Sequence, residues 1–315
     1  MDRVTFVKNF ALNKEVGIAG KFIYDGMRDL ECALNYKDTD NIFGFLYKIS
    51  VGIERLQKIA YILLRNPTEQ EYPEIEKEII THSHTGLQEK INALTIIKLN
   101  DHQRAFLHLL TNFYNSSRYD RYNFSTHLDD ELQLLLNYVE ERLQINIEME
   151  DFFIPQIEKK VKRFIGRVVL DLTQSLYNTI YEQASNIGLY TYEVAPDSKS
   201  MKVFLCSAEK NSLQEQIIDE HLAFKEMLIF LINTKHHSDF YDFIKSIPAL
   251  DIDIAMIQDY LFELIKGEIP QQLIDELEEL YLNSNFNKKE RLAMLECIGD
   301  PHCYFCDEES QDDFE

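Results

Sequence analysis

Residues 50–67 read SVGIERLQKIAYILLRNP, residues 80–91 read ITHSHTGLQEKI, and residues 100–127 read NDHQRAFLHLLTNFYNSSRYDRYNFSTH. The first stretch belongs to a longer pattern. Ile42, Phe45, Leu46, Ile49, Ile53, Leu56, Ala60 and Leu63 recur at the 3.6-residue period of one buried helix face. Asp38, Thr39, Asp40 and Asn41 offer capping side chains before it. Pro67 closes it, because the residue before a proline avoids helical backbone angles. The spacing predicts a helix of about six turns. A short helix is predicted over residues 74–80, a longer one from Thr85 to Ile97, and another from Asn100 or Asp101 through Phe106, Leu109, Leu110 and Phe113. The polar run Asn115, Ser116, Ser117 breaks that last pattern.

The same reading extends in both directions. Residues 1–37 read as a helical segment interrupted at Gly17, Gly20 and Gly26. Helices are predicted over residues 128–143 and over residues 157–184, the latter with Val161, Ile165, Val168 and Leu172 as its buried stripe. LYTYEV and MKVFLC, within residues 188–206, alternate and are rich in aromatic and β-branched residues, with PDSKS between them, so they predict a β-hairpin. Beyond it, helices are predicted over 212–233, 238–246, 252–266, 270–283 and 287–297. The expected fold class is mainly α. Residues 1–37 form an N-terminal helical segment, 38–185 a helical bundle, 186–207 a short β-hairpin, 208–298 a C-terminal helical region and 299–315 an acidic, cysteine-containing tail.

Composition bounds the function. The 315 residues are 45% hydrophobic, enough for one large or two modest cores. Ten Gly and seven Pro are few for this length and point away from a turn-rich all-β fold. Lys and Arg number 32 against 54 Asp and Glu, a net charge of −22 that repels phosphate backbones at long range. Any nucleic-acid role therefore needs a local basic surface. Lys159, Lys160, Arg163 and Arg167 supply one, because at 100° per residue they fall away from the apolar stripe of their helix; a solvated outer face is the plainer reading. The densest apolar run, Met227–Ile232, is far shorter than the roughly 18 residues that cross a membrane. No signal-peptide pattern is seen in MDRVTFVKNFALNKE, and with five cysteines the chain is expected in a reducing cytoplasm.

The order of these parts, a long amphipathic helix with Glu54 and Lys58, a histidine-containing segment, another helix and an Arg-rich turn leading to a histidine, resembles the HEPN superfamily of helical domains found in bacterial ribonucleases, toxins and defence proteins. Many HEPN ribonucleases carry an arginine, four to six residues and then a histidine, and here Arg121 and His127 enclose five residues. Tyr122 follows Arg121 where the family often has a polar residue, and Asn123 comes one place later. The resemblance implies metal-independent RNA cleavage without a cofactor. In the family, paired bundles bring these side chains together at a dimer groove, so a homodimer or a partner protein of a defence complex is implied. Arg121 would hold the phosphate, His127 would act as acid and base, and Glu54, Lys58, Arg118 and Asn123 would line or support the groove. The chemistry suits the residue types: an imidazole moves protons near neutral pH, and a guanidinium neutralises phosphate in the transition state.

Each residue also has a structural reading. Arg118 and Arg121 can pair with Asp120, Asp129 or Asp130, His127 can cap a helix, and Glu54 and Lys58 can form an ordinary i,i+4 pair. Tyr114, Tyr119 and Tyr122 interleave with the arginines and suit either base stacking or a helix contact. His82 and His84 fit a weak metal pair or the start of a helix. Cys297, His302, Cys303 and Cys306 form a weak zinc set, since a second separated cysteine pair is lacking. No Gly-rich phosphate loop, nucleophile elbow, HExxH or paired-carboxylate pattern occurs. The rival to a ribonuclease is a non-catalytic helical adaptor or regulatory subunit that binds a protein partner or a nucleotide, a reading to which the negative charge and the acidic run DEESQDDFE are suited.

Overall fold

A computed structural model describes residues 2–117, 130–148, 155–189, 198–205, 212–283 and 286–305. They are mainly helical, and among them no strand forms; one isolated bridge pairs Asn35 with Gln156. The elements in order are α1 (Arg3–Phe6), a π-helical turn (Val7–Ala11), α2 (Leu12–Cys32), α3 (Thr39–Arg65), α4 (Tyr72–Glu78), α5 (His84–Asn92), α6 (Asp101–Asn112), a second π-helical turn (Phe113–Ser117), α7 (Asp130–Leu143), α8 (Lys159–Asn186), α9 (Lys199–Phe204), α10 (Leu213–Asn233), α11 (Asp239–Ser246), α12 (Ile257–Lys266), α13 (Gln271–Asn283) and α14 (Lys288–Glu296). The chain divides into two compact units, Met1–Asp219 and Glu220–Glu315.

The first unit is built around α3. All eight residues of its predicted stripe are at most 1% exposed. Asp38 occupies the N-cap position, but its carboxylate accepts from Asn41 Nδ2 at 3.1 Å instead of capping a backbone N–H. Asn66 ends the helix in the left-handed region at φ 43°, directly before Pro67. The helix α2 runs antiparallel along α3, as the pairs Asp29–Lys48, Gly26–Ile49, Ile23–Gly52 and Glu15–Arg55 show. It passes unbroken through Gly17, Gly20 and Gly26, where interruptions were predicted. At two of the three, close approach is the reason: a Cβ on Gly20 would lie 2.5 Å from Ser200 Oγ, and one on Gly26 3.0 Å from Ile49 Cγ1, whereas around Gly17 nothing lies within 4 Å.

The remaining helices of the unit close over this pair. Val161, Ile165, Val168 and Leu172 of α8 are buried as their spacing predicts. Tyr138 of α7 donates its hydroxyl hydrogen to His102 O at 3.1 Å and its ring lies beside Phe106 and Phe164. Residues 1–37 contribute Leu12, Val16, Ile23, Met27 and Leu30 to the same core. The predicted hairpin is corrected in its second half: residues 199–204 are α9. Ser198 Oγ caps that helix by accepting from Met201 N at 3.1 Å. Ser200, Val203 and Phe204 are buried at helical spacing, not in alternation, and Phe204 stacks on Tyr177 with centroids 4.7 Å apart. Residues 190–194 of the predicted first strand lie outside the described residues. The predicted helix from Thr85 to Ile97 is shorter, His84–Asn92, because the N–H groups of Leu94 and Thr95 both turn back to Ile91 O.

The second unit holds the end of α10 and α11 to α14. Ser238 and Asn287 cap α11 and α14, and Gly267 at φ 83° ends α12. Tyr260 donates to Glu276 Oε2 at 2.7 Å, and Arg291 donates to Pro248 O at 2.7 Å. Phe305 meets Phe240 and Phe243 at centroid distances of 5.1 and 5.2 Å. Among the described residues of this unit only Tyr260 is buried, and α10 exposes Phe224, Met227, Ile229, Phe230 and Ile232. No helix of the described residues is long and apolar enough to cross a membrane.

Candidate functional site

Four polar residues of α3 come at steps of four, three and one: Ser50, Glu54, Gln57 and Lys58. This spacing puts them on the side of the helix that faces the start of α5. There Ser83 accepts from Gly86 N at 3.0 Å and so fixes the first turn of α5, with His84 inside the helix and His82 just before it. The second π-helical turn, following α6, brings Tyr114 to the same place. Local π geometry of this kind is common where a helix serves a site.

Glu54 is the centre. Its side chain is 11% exposed, and both oxygens are engaged: Oε1 accepts from Lys58 Nζ at 2.7 Å, and Oε2 lies 3.0 Å from His82 Nδ1. Glu54 and Lys58 are thus a partly buried pair carrying a third group. His82 is 52% exposed at its side chain, and its ring lies against Tyr114 with centroids 4.8 Å apart. Tyr114 in turn stacks on Tyr47 at 6.1 Å.

His84 serves a different purpose. It is 0% exposed, and its Nε2 lies 2.9 Å from Ser50 O. A carbonyl only accepts, so Nε2 carries the hydrogen. Burial pushes the pKa of the ring down, so His84 is neutral and its Nδ1 is an acceptor. Ser50 Oγ, Gln57 Oε1 and His84 Nδ1 are buried without a hydrogen-bond partner among the described protein atoms. Gln57 Nε2 donates to His84 O at 2.9 Å and to Gln88 Oε1 at 3.2 Å, and Gln88 Nε2 donates to Asn92 Oδ1 at 3.1 Å. This amide chain leads toward an open cleft of about 180 Å³ lined by Gln88, Asn92, Arg104 and His108, among others.

The other predicted site residues fall elsewhere. Arg118, Arg121, Asn123 and His127 lie outside the described residues. Lys159, Lys160, Arg163 and Arg167 are exposed along α8, as their helical phase predicts. Acids accompany them: Glu158 pairs with Lys160 at 3.0 Å, Glu215 sits 3.7 Å from Arg163, and Asp171 feels the charge of Arg167. Cys297 and Cys303 are free thiols, and a hydrogen bond with Cys297 is the first cause holding the pKa of Cys303 up at about 11. Cys306 lies outside the described residues, and among those described no three His, Cys, Asp or Glu side chains gather as a metal site. His82 and His84 each turn one ring nitrogen to a different partner, Nδ1 of His82 to Glu54 and Nε2 of His84 to Ser50.

Sequence reasoning marked Glu54 and Lys58 but not their link to His82. The signal was present in part: His82 directly precedes an N-cap serine, and Glu54 interrupts a strongly apolar helix beside its buried stripe. Ser50, Gln57 and the ring contact of Tyr114 with His82 had no such signal. Comparison with protein families, with curated proteins and with solved structures finds no match.

Proposed function

We propose that this chain is a HEPN-like, metal-independent ribonuclease of the toxin type, acting in bacterial defence against phage. It works in the cytoplasm, as a homodimer or with a partner protein of a defence complex. Arg121 holds the scissile phosphate and His127 moves the proton, with Arg118 and Asn123 beside them. Lys159, Lys160, Arg163 and Arg167 widen the RNA contact. RNA carries its own nucleophile, the 2′-hydroxyl, so the reaction needs proton carriers and a cation on the phosphate.

What supports the reading is one arrangement: Glu54 joined to Lys58 and His82, beside Tyr114 in the turn that precedes residues 118–129 in sequence. A carboxylate this covered, with two cationic or proton-carrying partners and a half-exposed imidazole, suits acid–base chemistry. The test is growth and cleavage together. Expression of the wild-type chain should arrest bacterial growth, His127→Ala should be harmless, and the purified wild-type dimer should cut RNA. Equal growth with no cleavage overturns the reading.

That outcome favours the second reading, a non-catalytic adaptor or regulatory subunit. The observation on its side is the exposed apolar surface of α10, together with the net charge of −22.

A further inference from the structure

The second unit, residues 220–315, carries 22 Asp and Glu against 7 Lys and Arg, a net charge of −15. The first unit holds the other 32 acids and 25 bases, a net charge of −7. On the more acidic unit an open cleft of about 740 Å³ runs along α12, lined by Ile254, Ile257, Leu261, Phe262 and Ile265, with Asp259 among its polar members. Ile257, Leu261 and Ile265 come at steps of four and so form one stripe of the helix. Tyr260 lies on another side, where it is buried with its hydroxyl on Glu276 of α13. One side of α12 is thus held, while its apolar stripe stays open: Ile254 is 85% exposed, Ile257 41% and Phe262 47%. Asp251, Asp253 and Asp259 are exposed toward the start of α12, and Glu268 is exposed just past its end. The one lysine of the helix, Lys266, does not offset them, because its ammonium sits 3.1 Å from Glu263 Oε1 and over the Phe262 ring.

We propose that this cleft docks a basic amphipathic helix of a partner protein, an inference that rests on the partner-protein part of the reading above and not on RNA cleavage. Charge and shape together select that occupant. A surface of net charge −15 repels nucleic acid and anionic membranes. A second copy would bring the same charge, and like charges across an interface cost affinity. The densest basic face of this chain, Lys159, Lys160, Arg163 and Arg167, does not fit either, because the apolar stripe of its helix is already buried in its own core. An apolar stripe with exposed carboxylates around it is matched by a helix that has apolar residues at the same spacing and lysines or arginines on either side. The apolar residues would enter between Ile257, Leu261 and Phe262, and the cations would meet Asp259 and its acidic neighbours.

The experiment titrates the full-length chain into a fluorescein-labelled peptide of about five helical turns, built of Leu and Lys with the leucines on one face. Two further peptides serve as comparisons: one of the same composition with the leucines scattered, and one of Leu and Glu in the amphipathic order. Fluorescence anisotropy should show the first peptide binding at least about tenfold more tightly than either. Ile254→Ser combined with Ile257→Ser changes two exposed positions and should weaken binding about tenfold or more. Asp259→Lys should weaken it about threefold or more, while Glu182→Lys, the same charge change at an exposed position of α8, should leave it unchanged. Equal binding of the ordered and scattered peptides, or equal loss in Asp259→Lys and Glu182→Lys, reduces the effect to diffuse charge and overturns the inference. A dimer in sedimentation equilibrium that disappears in the Ile254→Ser, Ile257→Ser chain gives the cleft to a second copy and also overturns it. Absence of peptide binding by wild type overturns it as well, and leaves the ribonuclease reading to the cleavage assay.

Discussion

His84 donates its Nε2 hydrogen to the carbonyl of Ser50 at 2.9 Å, wholly inside the protein, and thereby ties the first turn of α5 to the middle of α3. The burial of this ring makes stability sensitive to acid. Burial pushes the pKa of His84 below its ordinary value of 6.5, while the unfolded chain titrates near that value. Below it the unfolded state binds more protons than the folded one, so this contribution is intact above the unfolded pKa and is lost as pH falls. The urea midpoint of wild type should drop between pH 7 and pH 5, with His84 accounting for at most about 1.4 kcal/mol per pH unit. His84→Gln should show a shallower slope over the same range, and an unchanged slope would refute the assignment.

Two glycines of the antiparallel pair should respond in opposite directions to the same substitution. A Cβ on Gly52 would meet Ile23 Cγ1 at 2.6 Å and Ala19 O at 3.0 Å, and both neighbours are fully buried. Gly52→Ala should destabilise by about 1–3 kcal/mol. Around Gly17 nothing lies within 4 Å of such a Cβ, and the position is exposed in the middle of α2. Gly17→Ala should stabilise by about 0.5–1 kcal/mol through helix propensity alone. Chemical denaturation of the three proteins checks both signs.

The start of α6 is held by a reciprocal cap. Asn100 Oδ1 accepts from Gln103 N at 2.9 Å, and Gln103 Oε1 accepts from Asn100 N at 2.8 Å. Asn100→Ala should cost about 1 kcal/mol, and Asn100→Asp much less, because a carboxylate still caps and suits the positive end of the helix dipole. Equal denaturation midpoints for the two variants would contradict the cap.

Cys303 should alkylate slowly. Its thiol is held at about 11, above the ordinary 9.0, first by the hydrogen bond with Cys297 and then by burial and the nearby Asp300 charge. The thiolate is the reactive form, so at pH 8 it should react with iodoacetamide about 100-fold more slowly than an unperturbed thiol. Cys297→Ala should raise the rate, which peptide mass spectrometry follows directly.

The sequence already carried the helical character and most of the helix positions. The stripes of α3 and α8 are period-3.6 patterns of apolar residues, and burial follows the pattern because a helix has one way to hide such a face. Pro67, Gly267 and the cap at Asn100 are likewise local, since they depend on backbone angles and hydrogen bonds within a few residues. Misreadings arose where a residue answers to a distant neighbour. Gly20 and Gly26 read locally as breaks, yet they are places where Ser200 and Ile49 come close. Residues 201–206 alternate like a strand and 196–200 read as its loop, yet residues 199–204 are helical, with Ser200 fitted against Gly17 and Gly20 and Phe204 stacked on Tyr177.

The candidate site divides in the same way. The residues themselves already identified Glu54 and Lys58 as a pair, because they are one helical turn apart. That the same carboxylate reaches His82, 28 positions along the chain, and that Tyr114 covers the ring, only the packing of α5 and α6 against α3 could decide. Periodicity is set by the neighbouring peptide units and survives in the sequence. A hydrogen bond between separate helices depends on their crossing, which is fixed by the shapes of all the side chains between them.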